Sequence, residues 1–69
     1  MLSLADVLKV IDNNEPIEVF DTNKNITYNP RIETMPKEWI EYKVKYIHSA
    51  TDIFDDSFIV IGVEEVNNA

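Results

Sequence analysis

Cysteine is absent from this 69-residue chain, which removes disulfides, thiolate metal sites and cysteine nucleophiles together and suits a reducing compartment. Glycine occurs once, at Gly62 inside an apolar run, so no glycine-rich loop exists to cradle a phosphate. One imidazole is present, His48, with Ser49 beside it. Adjacent strand residues point to opposite faces, so this pair is poorly aimed for proton transfer. Basic residues are also few. Six Lys and Arg against thirteen Asp and Glu leave a net charge of −7, a field that repels phosphate backbones and anionic lipid heads and argues against direct nucleic-acid binding. The longest uncharged apolar run, Phe58 to Val63, is far too short to span a bilayer, so no membrane contact is expected. Met1-Leu2-Ser3 lacks the basic head and apolar core of a secretory signal, and the expectation is a cytoplasmic protein.

What the chain does contain is enough apolar material to fold. Hydrophobic residues make up 45% of it, and its length suits a single domain over 1–69. A core of this size leaves about 3–5 kcal/mol of net stability, a reason to expect self-association or a partner.

Leu4, Val7, Leu8 and Ile11 follow the spacing of one helical face, which predicts an amphipathic helix over 3–12. Ser3 is its cap, Asp6 lies in its first turn, and Asn13-Asn14 ahead of Pro16 ends it. Alternation begins after Pro16, with Ile17 and Val19 on one side and Glu18 and Phe20 on the other. It resumes at Ile26, Thr27 and Tyr28, giving strands over about 16–21 and 25–29 joined by a polar turn. Met35-Pro36 opens a short helical turn near 36–41 that carries Trp39 toward the sheet. A half-exposed strand follows over about 42–49, then an acidic loop, then the most β-prone run, 57–64, expected as an interior strand apolar on both faces. The fold class is therefore α+β: the N-terminal helix packed on a small, mainly antiparallel four-stranded sheet of two hairpins.

The sites suggested by these residues are few. Asp21-Thr22-Asn23-Lys24-Asn25 copies the opening of a calcium loop. Ile26 stands where the sharp turn needs glycine, and Ile32 where glutamate should close the shell, so hairpin-turn chemistry accounts for the same residues. Asp52, Asp55 and Asp56 form a loose oxygen-rich loop of low specificity, and Asn25-Ile26-Thr27 matches a glycosylation acceptor without a secretory context. No catalytic, cofactor-binding or metal-binding set is assigned, and no enzyme activity is expected.

Charge distribution says more than any motif. Residues 1–30 carry −3, residues 31–48 carry +1 and residues 49–69 carry −5. The acid gathers in the last hairpin loop and the tail, where Asp52, Asp55, Asp56, Glu64 and Glu65 can face a basic partner surface. Trp39, Tyr42, Tyr46 and Phe54 are the aromatic anchors expected beside them. The same residues also fit plain solubility.

Taken in order, Leu4-Ala5-Asp6-Val7-Leu8, Ile17-Glu18-Val19-Phe20-Asp21, Met35-Pro36-Lys37-Glu38-Trp39, Val44 to Ile47 and Ile59-Val60-Ile61 give a chain that resembles small uncharacterised phage and prophage proteins of Firmicutes. The resemblance implies a mobile-element origin. It further implies an accessory role of the kind filled by small acidic proteins that block host nucleic-acid-binding or defence proteins, anti-CRISPR proteins that mimic DNA among them. The expected function is thus a non-enzymatic inhibitor that binds a protein with a basic surface. The alternative is a self-assembling accessory subunit, a homodimer in which the second apolar face of 57–63, tested at Ile61 and Val63, is buried between copies.

Overall fold

The computed structural model describes residues 2–66, so the first residue and the last three of the expected 1–69 domain lie outside the described residues. The order of elements is α1 (Leu4–Leu8), β1 (Ile17–Asp21), β2 (Ile26–Tyr28), a 3-10 turn (Lys37–Glu41), β3 (Lys43–Thr51) and β4 (Ser57–Glu64).

Helix α1 starts where expected. The Ser3 hydroxyl accepts from the Asp6 amide at 3.3 Å, and the Asp6 carboxylate accepts from the Ser3 amide at 3.1 Å, a reciprocal capping box. It ends four residues before the predicted limit of 12. The Val10 amide bonds three residues back to the Val7 carbonyl, and the Asp12 carboxylate takes the Asn14 amide at 2.9 Å. β-Branched Val10 and Ile11 lower helix propensity, and the Asp12 side chain offers the backbone an alternative partner. Arg31 then holds the exit, donating to the carbonyls of Asp12 and Glu15 at 3.0 and 3.2 Å. Leu4 and Val7 are buried, with Leu8 and Ile11 packed beside them.

The strands form one four-stranded sheet in the order β2-β1-β4-β3. β1 pairs β2 antiparallel and β3 pairs β4 antiparallel, but the central pairing, β1 with β4, is parallel, so the sheet is mixed. That pairing sets Ile17, Val19 and Asp21 beside Ile59, Ile61 and Val63 on one face. Side-chain alternation sends those residues inward and Glu18, Phe20, Phe58, Val60 and Gly62 to the opposite face.

The core lies on the first face only. Leu4, Val7, Val19, Trp39, Tyr42, Ile61 and Val63 form one cluster, so α1 and the 3-10 turn cover the same side of the sheet. Trp39 meets Tyr28 edge-on at 5.0 Å and stacks with Tyr42 at 5.8 Å. Trp39 and the helix thus lie on the same face of β4. The 37–41 segment follows a long connector that returns over the helix side, and Tyr42 continues straight into the Leu4 amide, which donates to the Tyr42 carbonyl at 2.9 Å. Ile61 and Val63, expected at an interface between copies, are fully buried in this core instead.

Candidate partner-binding site

The loop between β3 and β4 is built by one carboxylate. Asp52 Oδ1 accepts from the amides of Phe54 at 2.8 Å and Asp56 at 3.1 Å. The Asp52 amide donates to the Asp56 carbonyl, and the Asp55 amide donates to the Asp52 carbonyl. Asp55 adopts a φ of 63°, a left-handed conformation that Asp tolerates through its short polar side chain. These bonds fix a tip on which Ile53 and Phe54 stand 91% and 77% exposed between three aspartates. Apolar side chains so far out of the core contribute little to folding.

The expected site residues do not form one surface. Asp52, Asp55, Asp56 and Phe54 sit together on the tip, whereas Glu64 and Glu65 lie beyond the far end of β4, roughly 25 Å away at the rise of an extended chain. Tyr46 is half exposed on β3 and stacks on His48 at 5.4 Å. Trp39 and Tyr42 are buried at 2% and 5% exposure, so they are core residues rather than exposed anchors. The 3-10 turn explains this, because it folds its aromatic face onto Val19 and Val63. Glu64 pairs with Lys45 at 3.7 Å across the β3–β4 ladder.

A second concavity occupies the Glu65 end. A groove of about 700 Å³ is lined by Ser3, Ala5, Glu38, Ile40, Glu41, Tyr42, Glu65 and Val66. Burial raises the Tyr42 phenol above its ordinary pKa, and the carboxylates of Glu65, Asp21 and Glu38 push it further in the same direction. Asp21 is fully buried; its Oδ1 accepts from the Asn23 and Lys24 amides at 2.8 and 3.3 Å, while Oδ2 has no hydrogen-bond partner among the described residues. The calcium-loop look-alike is therefore a hairpin turn, with Asn25 at φ 57° closing it. Glu38 and Glu41 were not among the expected site residues, although their spacing of three on a helical turn, facing an acidic tail, was the available signal. Ile53 was missed next to Phe54, although two adjacent apolar residues in an acidic loop are a signature of exposure.

A third hollow, about 560 Å³, lies beside the β3–β4 loop between Glu18, Asn29, Asp52 and Phe58. Asp52 is already committed there to its own loop amides. His48 is exposed, its Nδ1 3.3 Å from the Ser49 carbonyl oxygen. Among the described residues no group of three or more His, Asp or Glu side chains is placed to hold a metal ion, and no helix is long and apolar enough to cross a membrane. Comparison with protein-family models, curated proteins and solved structures gives no match.

Proposed function

We propose that this chain is a non-enzymatic binding protein whose β3–β4 hairpin tip docks into an apolar pocket with a basic rim on a partner protein. The observation that carries the reading is the tip itself: Phe54 and Ile53 project into solvent, held rigid by the Asp52 carboxylate, with Asp55 and Asp56 alongside. A pre-ordered aromatic anchor loses little conformational entropy on docking, and surrounding carboxylates raise the encounter rate with a basic surface. A mobile-element origin and inhibition of a host nucleic-acid-binding or defence protein belong to the same proposal, supported by the net charge of −7. The test is affinity capture from the native host with the wild-type chain and with Phe54→Ala. The variant keeps its fold and loses about 30-fold in affinity for the captured partner, the loss typical of a central aromatic anchor. Equal recovery by both chains refutes the reading.

The uncovered sheet face supports a second reading, self-assembly. Phe20, Phe58, Val60 and Tyr46 share that face, and no described element packs on it. Light scattering of Val60→Lys against wild type decides the matter. A wild-type chain that stays an 8.0 kDa monomer at high concentration removes this reading.

A further inference from the structure

We propose that the free edge of β3 pairs antiparallel with the same edge of a second copy of this chain, about a twofold axis at Ser49. The contact uses the rim of the sheet rather than its uncovered face, and it needs no docking by Phe54.

Strand β3 ends the sheet order, with β4 on one side only. The chain itself shows that the other side accepts a strand. Its N-terminal segment lies antiparallel there, with the Leu4 amide donating to the Tyr42 carbonyl at 2.9 Å and the Val44 amide donating to the Leu2 carbonyl at 2.8 Å, around a Ser3–Lys43 bridge. That cover stops at Val44. A bulge follows between Val44 and Tyr46, and beyond it no described strand pairs with the outer side of 46–51.

Ladder geometry fixes which backbone groups are left open. The Ile59 amide donates to the Pro16 carbonyl at 3.0 Å, so Ile59 turns toward β1, and Ser49 opposite it turns away from β4. Alternation gives Ile47 and Thr51 the same outward aim. The amides and carbonyls of Ile47, Ser49 and Thr51 thus form an open row, in which the Ser49 carbonyl meets only the His48 Nδ1 of its own strand, at 3.3 Å. Tyr46-Ile47-His48-Ser49-Ala50-Thr51 contains no Lys, Arg, Asp, Glu or Pro, the residues by which an edge strand resists pairing.

Charge selects the occupant and its direction. Lys43 and Lys45 stand at the start of β3, and Asp52, Asp55 and Asp56 follow its end. An antiparallel second copy brings the lysines of each chain to the aspartates of the other, whereas a parallel copy sets like charges together. With Ser49 facing Ser49, Ile47 faces Thr51, and every open group in the row is used reciprocally. The half-exposed Ile47 is covered in the same step. The contact is short and each copy carries −7, so the dimer is weak and forms at high concentration.

Sedimentation equilibrium of the full chain up to about 1 mM, with amide hydrogen exchange on the same samples, tests the pairing. Expected is a monomer–dimer equilibrium in which the Ile47, Ser49 and Thr51 amides gain about threefold to tenfold protection as dimer forms. Ser49→Pro removes an outward amide without breaking a bond to β4, so the chain folds and dimerises at least about tenfold more weakly. Lys45→Glu and Asp56→Lys should each weaken self-association about tenfold. An equimolar mixture of the two should regain it within about threefold, because only the mixed dimer sets opposite charges together at both ends. A wild-type chain monomeric at about 1 mM, a dimer whose three amides exchange as in the monomer, Ser49→Pro dimerising like wild type, or a mixture no tighter than its components each overturns the pairing. Val60→Lys separates it from stacking of sheet faces. Edge pairing survives that substitution with its three amides protected; loss of both dimer and protection overturns the edge contact and leaves stacking standing.

Discussion

Replacing Gly62 with alanine puts a methyl carbon 2.2 Å from Tyr46 Cζ, 2.3 Å from Cε2 and 2.6 Å from Cε1. Carbon atoms rest about 3.5–4.0 Å apart, so the Tyr46 ring, which lies across the glycine from the neighbouring strand, must leave by more than an ångström. Tyr46 is 40% exposed, so the ring swings outward and the backbone stays in place. What is lost is the cross-strand contact with β4 and the stack on His48. A cross-strand pair contributes about 0.2–1 kcal/mol and an aromatic stack about 0.5–1.5 kcal/mol, so roughly 1–2 kcal/mol disappears. Alanine returns about 0.5–1 kcal/mol, because glycine inside a strand loses more backbone entropy on folding. The net destabilisation is about 0.5–1 kcal/mol, or a Tm drop of roughly 2–8 °C for a domain of this size. The sign is the sharper test. With Tyr46 already alanine, the overlap is gone and Gly62→Ala stabilises by about 0.5–1 kcal/mol, giving a coupling of about 1–2 kcal/mol. The assay is a double-mutant cycle by urea denaturation. A Gly62→Ala effect that is equal in the two backgrounds, within about 0.3 kcal/mol, refutes the argument.

Truncating Ile61 or Leu4 to alanine in the core should cost about 2–5 kcal/mol, enough to unfold a domain holding about 3–5 kcal/mol, with loss of near-UV circular dichroism as the readout. Asp21→Ala strands the amides of Asn23 and Lys24 and should lower stability by about 1–3 kcal/mol in urea titrations, whereas a change under 0.5 kcal/mol would show the turn to be self-supporting. Bonds from the Ser3 amide and then the Ser3 hydroxyl hold the Asp6 carboxyl below its ordinary value of 3.8. Its contribution is present above pH 3.8 and fades as pH falls through the folded value, so the stability gap between wild type and Asp6→Asn at pH 7 should close in stronger acid. The Tyr42 phenol is raised above 10.0, which makes its contribution complete below pH 10 and lost as pH climbs through the folded value. The difference between ultraviolet titrations of folded wild type and Tyr42→Phe should therefore show a phenol ionising later than free tyrosine; a midpoint at 10 or below contradicts the groove electrostatics.

Local signals were legible where a few neighbouring residues settle the matter. Ser3 and Asp6 sit at the right spacing to cap each other, and Asp21 with Asn23 carries its own turn. The alternation of Ile17 and Val19 with Glu18 and Phe20 places the buried side of β1. The helix end was not legible, because Leu8 and Ile11 keep the apolar spacing while Arg31, nineteen residues beyond Asp12, pins the exit. The acidic residues were legible as a count but not as a surface: β4 separates Asp56 from Glu64, and the fold brings Glu38 beside Glu65 instead. Trp39 and Tyr42 read as anchors by residue type alone, yet both stack into the core.

The sequence by itself determined the element types, the two capping and turn devices, the lack of cysteine and of a glycine-rich loop, and the strongly negative field, because each depends on covalent neighbours or on composition. Tertiary structure alone decided that β1 and β4 lie parallel at the centre, that α1 and the 3-10 turn share one face, and which carboxylates surround Tyr42. Those outcomes turn on which apolar faces meet across long stretches of chain, and burial of Ile17 and Val19 against Ile59, Ile61 and Val63 is a property of the pairing rather than of either strand.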